Sequence, residues 1–239
     1  MTAREMQIEF ERLVQLANPS LILLGKLDSD TIFSVLNMAQ IRYVLLSFTQ
    51  GDQLTNATQN IKRNLDSFKG LIVNVLLSNI DDEPVDLTPT QRRYSLPSDY
   101  LLYVHSESIV TGTVNSYIES NRLINQLISH NQLEEATTTA YNTPILYTPA
   151  VILEGNTSDK TPSLTVYYDV YTKLQDVDLT YIRIPKEINT IVKDNSKQGD
   201  CELSEDTHMD IVRLAVDIFT SEKYKLMQRK PATKNTNEQ

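Results

Sequence analysis

Tyrosine crowds the middle of this chain: ten of the 12 lie between Tyr94 and Tyr181. Tyr and β-branched residues fit the pleated, half-buried surface of a sheet, so this block predicts strands. On either side the apolar residues recur at spacings of three and four instead, the period of a helix. Helices first, strands next and a closing helix last define an α+β fold rather than the alternation of an α/β one. The 239 residues predict one domain over 1–227, with a helical part at about 3–70, a Tyr-rich antiparallel β part at about 71–185 and a closing helix at about 204–226. Residues 228–239 are rich in Lys, Asn and Thr and predict a mobile basic tail.

The helix signals are local. Thr2 and Glu5 form a capping box, in which the hydroxyl serves one free backbone N–H and the carboxylate reaches back to another. Met6, Phe10, Leu13 and Ala17 follow, predicting a helix over about 3–17 that Asn18-Pro19 ends. Asp28-Ser29-Asp30 supplies N-cap residues for a second helix. Ile32, Leu36, Ala39, Tyr43 and Leu46 share its face, Phe33, Val35, Val44 and Leu45 widen the apolar area, and Gly51 ends it. Such a helix is expected to be well buried. A third is predicted over about 54–68 around Ile61, Leu65 and Phe68. Ser204 caps the closing helix, Glu205 and Asp206 occupy its first turn, and His208, Ile211, Ala215 and Phe219 form its inner row. Lys223 and Lys225 fall in its last turn, where the helix dipole favours cations.

Leu71 to Leu77, Leu101 to Val104, Ile145 to Glu154, Leu164 to Lys173 and Leu179 to Ile184 predict strands, with 117–128 as a pairing partner. Leu96-Pro97-Ser98-Asp99-Tyr100 predicts a turn, and Ser129-x-x-Gln132 a second capping box opening a short helix over about 130–139. Asp176-Val177-Asp178 predicts a hairpin turn between the last two strands. Residues 81–93 and 155–162 are expected as loops.

Several function classes lose ground on composition. A net charge of −9 argues against a nucleic-acid clamp, which neutralises phosphates with Lys and Arg. The start of the chain is amphipathic, which predicts no signal peptide. The apolar runs Leu21 to Leu24 and Val75 to Leu77 are too short to span a bilayer. The expectation is a soluble protein made in a reducing compartment, without a membrane partner. Cys201 is the only cysteine, so no intrachain disulfide or Cys-based zinc site forms. The six glycines make no dinucleotide fingerprint or phosphate loop, and His105, His130 and His208 belong to no H-E-x-x-H motif. No cofactor is expected.

Four local patterns invite a functional reading, and each has a plainer one. Asp206-x-His208-x-Asp210 carries metal-ligand types, but positions two apart on a helix diverge, so the reading is a solvated first turn. Asp194-x-Ser196-x-Gln198-Gly199 with Glu205 resembles a degraded calcium loop, yet Gln198 and Lys197 argue for a surface loop. His130 and Glu134 read as an exposed i,i+4 pair. Asp81-Asp82-Glu83 reads as a solvated loop. The cations Lys223, Lys225, Arg229, Lys230 and Lys234 are either a solvating tail or an arm that orders on an acidic neighbour.

The order of segments carries a resemblance. N-terminal helices lead to Tyr94-Ser95-Leu96-Pro97-Ser98-Asp99-Tyr100-Leu101, then Leu127-Ile128-Ser129-His130-Asn131-Gln132-Leu133, Thr143-Pro144 and Ile152-Leu153-Glu154-Gly155-Asn156. Leu164-Thr165-Val166-Tyr167-Tyr168, Tyr181-Ile182-Arg183-Ile184-Pro185, Leu203-Ser204-Glu205 and Asp210-Ile211-Val212-Arg213-Leu214-Ala215-Val216 complete the series. This resembles the tail-ring, or head-to-tail adaptor, proteins of crAss-like short-tailed bacteriophages and, more distantly, the tail tubular protein A family. The resemblance implies a virion structural protein with no active site, assembled in the host cytoplasm. Its subunits would form a ring, commonly a dodecamer, beneath the portal protein and beside other tail proteins. Double-stranded DNA would pass through the centre without specific contacts.

The composition agrees in kind, since edge strands pair between subunits. Candidate assembly contacts are Tyr94, Tyr100, Tyr103, Tyr168 and Tyr181 on the strands, with Lys223, Lys225, Arg229 and Lys230 at the C-terminal end. Two other readings compete. One is a virion-associated cargo protein or assembly chaperone. The other is a hydrolase with a dispersed site using His105, His130 or Asp99.

Overall fold

The computed structural model describes residues 1–17, 27–49, 68–77, 85–88, 91–114, 117–133, 148–155, 162–168, 172–189 and 199–228. The fold is α+β, with helices toward both ends and two sheets between them. The chain divides into two compact units, one built from Met1–Leu71 with Pro185–Gln239 and the other from Ile72–Ile184. The β part is therefore a unit of its own, inserted between two stretches of the helical one. The predicted third helix at 54–68 (apart from its last residue, the buried Phe68), the helical stretch after 133, the calcium-like stretch 194–198, Asp81 to Glu83, and Arg229, Lys230 and Lys234 lie outside the described residues.

The helical unit contains α1 (Ala3–Ala17), α2 (Ser29–Thr49) and α3 (Glu205–Gln228). The capping box forms as expected: the Thr2 N–H donates to Glu5 Oε2 at 2.9 Å and the Glu5 N–H to Thr2 Oγ1 at 3.3 Å. The buried row of α1 is Ala3, Met6, Phe10 and Val14. Val14, rather than the expected Leu13 and Ala17, thus completes the stripe. Both α1 and α2 pack against α3, and Phe10 meets Phe219 edge-on with ring centroids 5.7 Å apart.

Helix α2 buries Ile32, Phe33, Leu36, Ala39, Gln40 and Val44, while Met38 and Leu46 stay exposed. Over Ser29–Phe48 it is apolar enough, by length and composition, to cross a membrane, contrary to the short runs read from the sequence. One of its polar side chains, Asn37, is tied to the segment before the closing helix. The Asn37 amide donates to Ile188 O at 3.2 Å and accepts from the Ile188 N–H at 2.7 Å, pairing like a short piece of strand.

The β unit contains β1 (Ile72–Leu76), β2 (Val85–Thr88), β3 (Gln91–Ser95), β4 (Tyr100–Val114), β5 (Tyr117–Ile124), β6 (Gln126–Leu127), β7 (Ala150–Gly155), β8 (Pro162–Tyr167) and β9 (Thr172–Arg183). They form a four-stranded sheet, β1-β9-β4-β5, and a five-stranded sheet, β2-β3-β8-β7-β6. The first is antiparallel throughout; the second is antiparallel except for the β6–β7 pair. Val110, Leu174, Val177, Leu179 and Tyr181 from one sheet pack with Tyr94, Val151, Leu164 and Val166 from the other in one shared core. This is a β-sandwich, each sheet burying one face.

Two sequence expectations change here. Residues 85–88 and 91–95 pair as strands β2 and β3, where a loop was expected. Asp176-Val177-Asp178 is no turn: β9 runs through it as one strand of 12 residues. The register slips between Ile109↔Asp176 and Val110↔Leu174, so Gln175 is an extra residue on β9. Such a bulge moves the inward set from Leu174 to Val177, Leu179 and Tyr181, a shift in parity that resembles a break. On β4 a similar slip between Tyr103 and His105 places Ser106, Ser108 and Val110 inside and leaves His105 and Glu107 partly exposed.

Candidate assembly surfaces

The tyrosines singled out from the sequence sit mostly inside the sandwich. Tyr94, Tyr168 and Tyr181 are buried core residues, and Tyr100 and Tyr103 are half-buried against the same core. They hold the two sheets together, and the reading of Tyr94, Tyr168 and Tyr181 as exposed contacts is corrected accordingly. Strand alternation turns their rings inward; the Tyr181 and Tyr103 hydroxyls find local partners, whereas the buried Tyr94 hydroxyl has no hydrogen-bond partner among the described residues. Tyr181 donates to Asp99 Oδ1 at 2.8 Å, and Tyr103 OH lies 2.9 Å from Ser106 Oγ. The Tyr100 and Tyr181 rings pack tilted, 5.8 Å apart. Burial pushes the Tyr94 and Tyr100 phenols up to about 12, and burial followed by the Asp99 carboxylate does the same for Tyr181. Lys223 and Lys225 lie on α3, with side chains outside the described residues.

The titratable groups raised for a hydrolase are engaged separately. Asp99 accepts from Tyr181, and His105 Nε2 lies 3.5 Å from Glu107 Oε1. His130 is exposed at the start of a helical turn that Ser129 and Gln132 cap, the Ser129 N–H donating to Gln132 Oε1 at 3.0 Å. Asp206 and Asp210 are exposed, whereas His208 is buried, with Nε2 2.9 Å from Leu203 O and Nδ1 2.9 Å from the Met1 amino group. Among the described residues no three His, Cys, Asp or Glu side chains are placed to hold a metal ion. A shallow depression of about 290 Å³, lined by Asp30, Ser34, Asn37 and Glu187 among others, is largely open to solvent.

What the described residues do expose are strand edges and isolated apolar side chains. β1 and β5 end the four-stranded sheet, and β2 and β6 end the five-stranded one. Ile124 is 65% exposed and Leu127 47%, flanking a fully engaged polar pin. In that pin Asn125 Nδ2 donates to Ser106 Oγ at 2.8 Å, and Ser108 Oγ donates to Asn125 Oδ1 at 2.6 Å. On the outer face of the sheet, Arg122 reaches across β4 to Glu107 (3.4 Å) and Asp178 (3.0 Å). Sequence reasoning missed this ladder because its members lie 15 and 56 positions apart.

The features together define an α+β protein with a sandwich unit, open sheet edges and no assembled catalytic cluster among the described residues. No protein-family model matches the chain, and no curated protein sequence matches it.

Proposed function

We propose that the protein is a structural subunit of a bacteriophage virion, one of many copies closing into a ring between the portal and the tail around the path of the DNA. It works through assembly rather than catalysis. The observation that carries this reading is that β1 and β5, the two end strands of the four-stranded sheet, have outer edges that pair with no further strand among the described residues and so offer backbone donors and acceptors to a neighbour. The order of sequence motifs described above points the same way, as do the exposed Ile124 and Leu127. The net charge of −9 suits a conduit that repels phosphate and lets DNA slide.

Native mass spectrometry and electron microscopy of the purified full chain test the proposal. A closed ring of many identical copies is expected. A species that stays monomeric over a wide concentration range, and is substoichiometric in purified particles, would favour a cargo protein or assembly chaperone instead. A strongly positive channel in the ring would remove the sliding argument.

A further inference from the structure

Resting on the ring reading, we infer that neighbouring subunits join edge to edge, β1 of one copy against β5 of the next, so that the four-stranded sheet continues antiparallel around the ring. Strand direction makes this join possible. β1 pairs antiparallel with β9, β9 with β4 and β4 with β5. Four alternating strands leave the two outer ones running in opposite directions. Copies related by rotation about a ring axis keep their strand directions, so β5 of one copy meets β1 of the next antiparallel and the alternation is unbroken. An odd number of strands would bring like directions together.

The two edges are also chemically suited. Ile72-Val73-Asn74-Val75-Leu76 has no charge, no Pro and an unbroken register with β9, so it lacks the devices that keep edge strands apart. β5 carries two charged residues, Glu119 and Arg122, and Arg122 is turned back over its own sheet to Glu107 and Asp178. Val73 and Val75 on β1 and Leu123 on β5 all pack against the sandwich core. Side by side across the join, they would continue one apolar layer. On the other face Ile124, 65% exposed in the single chain, would gain Ile72 or Leu76 as a neighbour. Pairing of β1 with β1 would close the assembly at two copies, an isologous contact that cannot propagate into a ring.

Cross-linking of single-cysteine variants of the full chain tests the join. Asn74→Cys marks β1 and Ile124→Cys marks β5; Cys201 is buried and serves as an internal control. A short bismaleimide applied to the two variants coexpressed is expected to give covalent dimers that each variant alone does not give. Dimers from Asn74→Cys alone would overturn the inference in favour of β1 self-pairing. A closed ring by native mass without cross-linked dimers would overturn this interface and leave the ring reading standing. A chain that never oligomerises would overturn both.

Discussion

The Tyr181 hydroxyl donates to Asp99 Oδ1 at 2.8 Å, fastening β9 to the turn that launches β4. The same turn is closed by the Tyr100 N–H on Pro97 O and held to the end of β9 by the Ile184 N–H on Asp99 O. Tyr181→Phe keeps the ring and removes the bond, and should lower stability by about 1 kcal/mol. Tyr181→Ala also empties a core position and should cost about 3–5 kcal/mol. Urea titration followed by circular dichroism separates the two, and an unchanged stability in Tyr181→Phe would show that the hydroxyl contributes nothing.

Alkaline pH should unfold the sandwich through its tyrosines. Tyr94, Tyr100 and Tyr181 ionise near 10.0 when solvated and at about 12 in the fold. The folded state thus holds these protons more tightly than the unfolded state. Their contribution is complete below pH 10 and is lost as pH rises toward 12. Phenolate absorbance should rise in two stages, the later one coinciding with loss of near-ultraviolet dichroism. A single stage at the ordinary phenol pKa, with the fold intact, would contradict the burial.

Cys201 is buried, and burial pushes its thiol up to about 11. At pH 8 a thiol reagent should modify the native chain slowly and the urea-unfolded chain at once. Fast native modification would mean that the helical unit opens around this position.

Asn125, 5% exposed, ties Ser106 and Ser108 together. Asn125→Ala strands the buried Ser108 hydroxyl, while Ser106 Oγ keeps the Tyr103 hydroxyl at 2.9 Å, and should cost about 1–3 kcal/mol. Adding Ser108→Ala should recover part of that loss. A double-mutant cycle measures the coupling, and strict additivity would dissolve the network.

A methyl group at Gly199 would stand 2.6 Å from Glu187 O and 3.1 Å from Asn189 N. Both are backbone atoms of the segment that Gly199 bridges, where the Asn189 N–H donates to Gly199 O at 2.9 Å. Gly199→Ala should therefore cost about 1–3 kcal/mol by overpacking. An unchanged melting temperature would show that the segment yields freely.

The chain by itself determined what adjacent residues can settle. Thr2 with Glu5 and Ser129 with Gln132 are three apart, within reach of one another whatever the rest does, and both pairs form the bonds their types predict. The α+β order was legible for the same reason, since the period of apolar residues changes between segments. Tertiary structure decided what depends on distant partners. The bulges opposite Val110 and after Tyr103 belong to the β4–β9 pairing, between residues about 65–80 positions apart. They reset which alternate residues face inward, which made Asp176 to Asp178 look like a turn from within the strand. The tyrosines followed the same rule. Their number marked the sheets, but which face each ring took, and so whether it built the core or the surface, was set by pairing across the sandwich.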